Sequence, residues 1–191
     1  RLEGLSKILP YWTGYCLNPG EDTHFIEAVG HAEFSKDIFK NASWRHTVTF
    51  FNMHIAFGLG YKRAVLIGFD HSYKQQAGVK EGDVIVSNER DENHFDSSYF
   101  QGKKWQAADV GMMEQMYLLA KKAYEEEGRD LINATEGGAL EVLPRMPLAD
   151  ALAMKPVPVA TMTEAEAAAK RSIASHIRTI PRDQHAQVDE T

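Results

Sequence analysis

The sequence predicts an α/β domain, a mostly parallel sheet flanked by helices, and three observations carry that expectation. An unbroken apolar run from Ala64 to Phe69 ends abruptly in Asp70-His71-Ser72, the pattern of a strand buried on both faces. A helix-like segment from about Thr47 to Leu59 feeds directly into it, and a helix leading into a buried strand is the repeating unit of doubly wound sheets. A second unit follows, in which Asp130-Leu131-Ile132-Asn133-Ala134-Thr135 is broken by Glu136-Gly137-Gly138.

In chain order, residues 1–45 carry turn signals at Pro10, Gly14, Asn18-Pro19-Gly20 and Gly30. Between them, Tyr11 to Leu17 reads as a short strand and Thr23 to Val29 as a short helix. From Thr47 to Leu59, Phe50, Phe51, Met53, Ile55, Ala56, Phe57 and Leu59 surround the helical wheel, which predicts a helix with little solvent exposure. Gly58 and Gly60 mark its end. Residues 74–105 are polar and lack periodicity over roughly 30 positions, a length that suits either a functional lid or binding loop or a surface excursion.

A long helix is expected from about Ala107 to Glu127, with Met113, Met116, Tyr117, Ala120 and Tyr124 on one stripe and Gly128 as its stop. The stripe reads as core packed on the sheet. A short helix is expected from Leu148 to Met154. Residues 1–154 are thus assigned to one α/β domain, with an upstream part left open by the start at Arg1. Residues 155–191 form a linker and a helical tail. Lys155-Pro156-Val157-Pro158 is linker-like, and Thr163-Glu164-Ala165-Glu166 resembles a capping box opening an Ala-rich helix to about Ile177. The apolar face of that helix is thin, so it needs a partner surface, in this subunit or in a homo-oligomer.

Composition narrows the function classes. Of the 191 residues, 43% are hydrophobic and 25% charged, ordinary for a globular protein. Lys plus Arg number 21 against 27 Asp plus Glu, a formal net charge of −6, and the basic residues form no long run. That balance argues against a nucleic-acid backbone as partner. The lone Cys16 excludes an intrachain disulfide and fits a reducing compartment. No apolar run is long enough for a membrane span and no leader is visible, so a cytoplasmic location is the expectation.

Open α/β sheets bind ligands beyond the carboxyl ends of their strands. Gly68, Asp70, His71 and Ser72 fall at one such end, and Asn133, Thr135 and Gly137 at another, which suggests one shared crevice. Asp70 suits a divalent metal or a ribose hydroxyl, a role favoured over the alternative of a cap on the next turn. The loop Asp91-Glu92-Asn93-His94-Phe95-Asp96 groups acids with an imidazole. Oxygen ligands there suit Mg²⁺, and His94 suits a general base near neutral pH. Lys104, beside Lys103 and flanked by Tyr99, Phe100 and Trp105, and Arg145, near Pro144 and Pro147, are candidates for phosphate contacts. His54, on a mostly apolar helix, reads as a buried structural residue. No Gly-x-Ser-x-Gly elbow, P-loop or Gly-x-Gly-x-x-Gly fingerprint occurs.

Taken together, Thr47 to Tyr73 resembles the corresponding segment of bacterial CMP-sialic-acid-dependent sialyltransferases of the Campylobacter type. It also resembles the domain-of-unknown-function 115 family, which includes 6-hydroxymethylpterin diphosphokinases and motility accessory factors. Asn93-His94-Phe95-Asp96 to Trp105, and Asn133 to Gly138 with Pro144-Arg145, resemble bacterial members of the latter group. The resemblance covers roughly residues 44–153.

It implies a Rossmann-like fold that binds a nucleotide-activated small molecule and transfers a sugar or a diphosphate. It gives Gly68 and Asp70 a donor-binding role and sets Thr47 where a donor-contacting Thr lies. Two features depart from it. Lys103-Lys104-Trp105 stands where the sialyltransferases carry a catalytic His, and the amino-terminal Gly-rich nucleotide loop is absent. The leading expectation is a nucleotide-donor transferase, most of all a glycosyltransferase of cell-surface glycan synthesis. A pyrophosphokinase acting on a pterin-like alcohol and a non-catalytic assembly domain are the alternatives.

Overall fold

The computed structural model describes residues 6–15, 22–38, 40–74, 78–80, 82–86, 98–99 and 101–157. The acid-rich loop with His94 and the Ala-rich tail from Thr163 to Ile177 lie outside the described residues. In chain order the strands are β1 (Lys7–Pro10), β2 (Thr23–Ile26), β3 (Ala28–Val29) and β4 (Ala42–Ser43), then helix α1 (Val48–Gly58) and strand β5 (Arg63–Leu66). They are followed by β6 (Val84–Val86), β7 (Lys104–Gln106), helix α2 (Val110–Glu126), β8 (Asp130–Asn133) and helix α3 (Leu148–Ala153). Among the described residues the strands form two-stranded sheets: β1 with β2, β3 with β4 and β5 with β8 are parallel, and β6 with β7 is antiparallel. No helix of the described residues is long and apolar enough to cross a membrane.

Both long helices start where a side chain can satisfy their first amides. The Thr47 hydroxyl accepts from the Thr49 amide at 3.2 Å, and the Asp109 carboxylate accepts from the Met112 amide at 3.0 Å, so α2 opens at Val110 rather than at Ala107. Gly60 and Gly128, at φ of +87° and +62°, supply the left-handed turns that end the two helices.

The main core lies between them. Phe50, Met53 and Phe57 of α1 pack with Met113, Met116, Tyr117, Ala120 and Tyr124 of α2, and with Leu131, Leu140 and Leu143. Each of the Phe, Met and Leu side chains contributes about 1.5–3 kcal/mol relative to leaving it in water. The Tyr124 hydroxyl donates to the Met53 carbonyl at 2.9 Å, tying α2 to α1. Phe51 and Ile55, on another side of α1, join a second cluster with Ile26, Ala42, Ile8 and Ala28. Two clusters on one helix explain why its sequence is apolar around the wheel.

Several expectations are corrected. Of the strand expected from Tyr11 to Leu17, the described part, Tyr11–Tyr15, is instead a 3₁₀ turn, in which the Thr13 hydroxyl donates to the Pro10 carbonyl at 2.7 Å, a local bond that competes with strand pairing. Thr23 to Val29 is not a helix but β2 and β3, because β1 and β4 offer these β-branched and aromatic residues strand partners. The polar stretch 74–105 contains the β6–β7 pair, with Val84 to Val86 in register against Gln106 to Lys104. Strands of three residues are too short for periodicity to reveal them.

The Ala64 to Phe69 run is a half-buried strand ending at Leu66, not one buried on both faces. Ala64 and Leu66 pack on the core, while Ile67 is 65% exposed. Its register against β8 is fixed by the Arg63↔Asp130 pair, whose guanidinium and carboxylate meet at 2.8 Å.

Candidate functional site at the ends of β5 and β8

Because β5 and β8 run parallel in the register Leu66↔Asn133, the chain leaves both strands at the same sheet edge. The two strand-end loops then lock together. The Ala134 amide donates to the Leu66 carbonyl at 2.8 Å and the Ala139 amide to the Asp70 carbonyl at 2.6 Å. The Phe69 amide donates to the Thr135 hydroxyl at 2.8 Å, and the buried Asn133 amide group reaches the Phe69 carbonyl at 3.4 Å. Gly138, at φ +84°, lies so close to Asp70 that a Cβ there would stand 2.6 Å from the Asp70 Cα. Gly68 (+67°) and Gly137 (+67°) take the other left-handed turns.

Of the sequence-predicted residues, Gly68, Asp70, His71, Ser72, Asn133, Thr135, Gly137 and Arg145 are thus brought to one edge. Asp70 and Ser72 are exposed and His71 is buried. His71 has φ +59°, unusual for a side chain that is not glycine, and such conformations cluster at ligand sites. Its ring meets Tyr73 and Tyr117 edge-on, with centroids 5.5 and 5.7 Å away. Its Nε2 has no hydrogen-bond partner and lies 3.7 Å from a Glu114 carboxylate oxygen.

Thr47 reaches the same cluster from the start of α1, since the buried Tyr117 hydroxyl faces its side chain. Burial holds His71 below the ordinary imidazole range, against the pull of Glu114, the Val110 carbonyl and Asp70. Burial also raises Tyr73, helped by Asp70, and raises Tyr117 strongly. These hydroxyls therefore stay protonated at neutral pH.

Glu114, Tyr117 and Tyr73 were not singled out from sequence as site residues. Tyr117 reads as a core stripe residue, and Glu114 as one more charge on an amphipathic helix. Their three-residue spacing puts them on one face of α2, but only the loop carrying His71 gives that face a meaning.

Arg145 serves the loop itself. Its guanidinium donates to the carbonyls of Leu140 at 3.2 Å, Thr135 at 3.1 Å and Gly137, and to the Glu141 carboxylate at 3.2 Å. An ammonium has no planar fork to span these acceptors. Arg145→Lys is therefore expected to lower stability by about 1–2 kcal/mol, as one or two loop bonds are lost. Urea denaturation checks this; unchanged stability together with lost anion binding would instead make Arg145 a direct phosphate contact.

Lys104 stands exposed on β7, and none of the hydrogen bonds or ion pairs among the described residues joins it to the strand-end loops. Nor is any group of three or more His, Cys, Asp or Glu side chains among the described residues placed to hold a metal ion. The exposed Asp70 carboxylate suits only a Mg²⁺ ion that brings phosphate oxygens and waters as its other ligands. The expected pairing of His94 with this edge lies outside the described residues. No family model matches the chain, and no curated protein or solved structure is significantly similar to it.

Proposed function

We propose that this chain is a cytoplasmic transferase domain of Rossmann-like type that binds a nucleotide-activated donor, most of all a glycosyl donor for cell-surface glycan synthesis. The observation that supports it is the parallel β5–β8 pair, whose strand-end loops interlock through Asp70 and Gly138–Ala139. That is the place where α/β sheets bind nucleotides. In this reading the backbone at Gly68 and Gly137 allows close approach of the donor, and Asp70 holds a ribose hydroxyl or a phosphate-bound Mg²⁺. Thr47, Ser72 and Thr135 line the approach, while Asn133, fully buried, holds the two strand-end loops together from beneath instead of meeting the donor. His94 takes the proton of the acceptor hydroxyl, and Lys104 steadies the leaving phosphate electrostatically. His71 orders the loop from beneath, and Arg145 braces the opposite loop.

The test is a thermal-shift panel of CMP, CDP, UDP, GDP and ATP, each with and without Mg²⁺. A ligand at 100 times its Kd is expected to stabilise by about 2.7 kcal/mol, roughly 5–10 °C for a chain of this size. Asp70→Asn is expected to remove most of that shift while leaving the ligand-free melting temperature within about 2 °C, because its carboxylate is exposed. A response confined to ATP with Mg²⁺ moves the reading to pyrophosphoryl transfer. No response to any of the five overturns it.

A further inference from the structure

We propose that the exposed Trp12–Trp44 pair is a stacking platform for a β-linked hexose, a carbohydrate site beside the strand-end edge. On the nucleotide-donor reading above, on which this part rests, that hexose is the acceptor.

Tryptophan is highly buried on average, yet Trp12 is 39% and Trp44 47% exposed. Their rings meet edge to face, with centroids 5.0 Å apart and planes at 61°. Both stand beyond the carboxyl ends of parallel strands, Trp12 in the 3₁₀ turn after β1 and Trp44 directly after β4. Trp44 is fixed from below. Its amide donates to the Val29 carbonyl at 3.2 Å, and the Ser43 hydroxyl donates to the His31 carbonyl at 2.6 Å. Its indole crosses Gly30, where a Cβ would lie 4.0 Å from Nε1.

The flanking groups are polar. Arg45 donates from Nη1 to the Gly30 carbonyl at 2.9 Å and from Nε to His46 Nε2 at 3.0 Å. With Nε2 accepting, the His46 proton sits on Nδ1. His46 holds φ +62°, a conformation that persists only where the surroundings fix it and that clusters at ligand sites. Arg45, His46 and the His31–Glu33 pair, 2.9 Å apart, are all exposed and supply both donors and a carboxylate acceptor.

Three arguments select a sugar. Rings inclined at 61° cannot hold a flat nucleobase between parallel faces. The exposed parts of the two side chains amount to less than one whole tryptophan, roughly 200 Å², against about 800 Å² per partner in a stable protein interface. A β-linked hexose with equatorial hydroxyls presents flat C–H faces to an aromatic ring and hydroxyls at its edge, which matches an apolar floor flanked by a few polar groups.

The position suits an acceptor. Thr47, three residues beyond Trp44 and so within about 11 Å from Cα to Cα, turns its side chain to the Tyr117 hydroxyl. The Tyr117 ring meets His71, next to Asp70.

The experiment titrates the full chain, without nucleotide, with cellobiose and chitobiose while tryptophan fluorescence is followed. A saturable change is expected with at least one of them, kept in Trp105→Phe and weakened about tenfold or more in Trp12→Ala and Trp44→Ala. Should an alanine variant fail to fold, saturation-transfer NMR on the wild type carries the test, with transfer expected to the axial C–H protons of one hexose face.

No saturable response to either sugar, or one that both alanine variants keep, overturns the platform. So does a response to adenosine alone, which makes the pair a base-stacking surface. A dimer that light scattering finds in the wild type and not in Trp44→Ala overturns it too, as an interface between copies. If a sugar binds while none of the five nucleotides does, the acceptor role falls with the donor reading and the carbohydrate site stands.

Discussion

Gly138→Ala is expected to lower the stability of this protein by roughly 2–5 kcal/mol and to abolish any nucleotide-induced thermal shift. Two costs add. The residue sits at φ +84°, where an L side chain costs about 1–2 kcal/mol. The new Cβ would also stand 2.6 Å from the Asp70 Cα and 2.9 Å from its carbonyl carbon, so the two loops must part, and overpacking of this kind costs about 1–3 kcal/mol. Gly137→Ala is the control. Its φ is +67° but nothing stands within 4 Å of the new atom, so it carries the backbone cost alone, about 1–2 kcal/mol. Parallel urea denaturation of both variants separates the two costs. Equal losses for the two would mean that the contact between Gly138 and Asp70 contributes nothing, and the interlocked edge would lose its main support.

Acidification from pH 6.5 to pH 4 is expected to remove about 3 kcal/mol of stability through His54 alone. The ring is fully buried, stacked on Phe34 at 4.1 Å with Phe50 edge-on at 4.7 Å. Its Nδ1 meets the Ser35 carbonyl at 3.2 Å, while Nε2 has no partner. Burial therefore depresses it to about 4, against the pull of the Ser35 and Glu33 carbonyls. The unfolded chain, with an ordinary imidazole near 6.5, binds more protons than the folded one between pH 6.5 and 4. Stability is then full above pH 6.5 and drains as pH falls toward 4, by about 1.4 kcal/mol for each pH unit crossed. His54→Phe keeps a ring in the same space and removes the titration, so its stability should fall less steeply with acid than the wild type's. Denaturant curves at pH 7 and pH 4.5 decide it; parallel losses in both proteins would sink the assignment.

Much of the helical framework was legible in the sequence because its signals are local. The Met113 to Tyr124 stripe repeats at helical spacing, and Gly60 and Gly128 stop the chain where a left-handed residue is needed, whereas the start of α2 at the Asp109 cap was not read. Asp130 to Asn133 was legible as a strand for the same reason, as a short apolar run broken by glycines. The region around Thr23 to Val29 was not, since its strand character comes from β1 and β4, which lie elsewhere in the chain. The β6–β7 pair was hidden because three residues per strand leave no period to read.

The candidate site divides along the same line. That Gly68, Asp70 and Asn133 to Gly137 stand at strand ends was written in the run of residue types. That the two ends meet, that Arg145 holds carbonyls instead of an open anion site, and that His71 turns inward to face Glu114 required the packed structure. Sequence determined the elements, because capping, glycine turns and apolar periodicity act within a few residues. Tertiary structure decided which strands pair, which faces are buried and which polar atoms are left facing one another, because those depend on contacts between residues tens of positions apart.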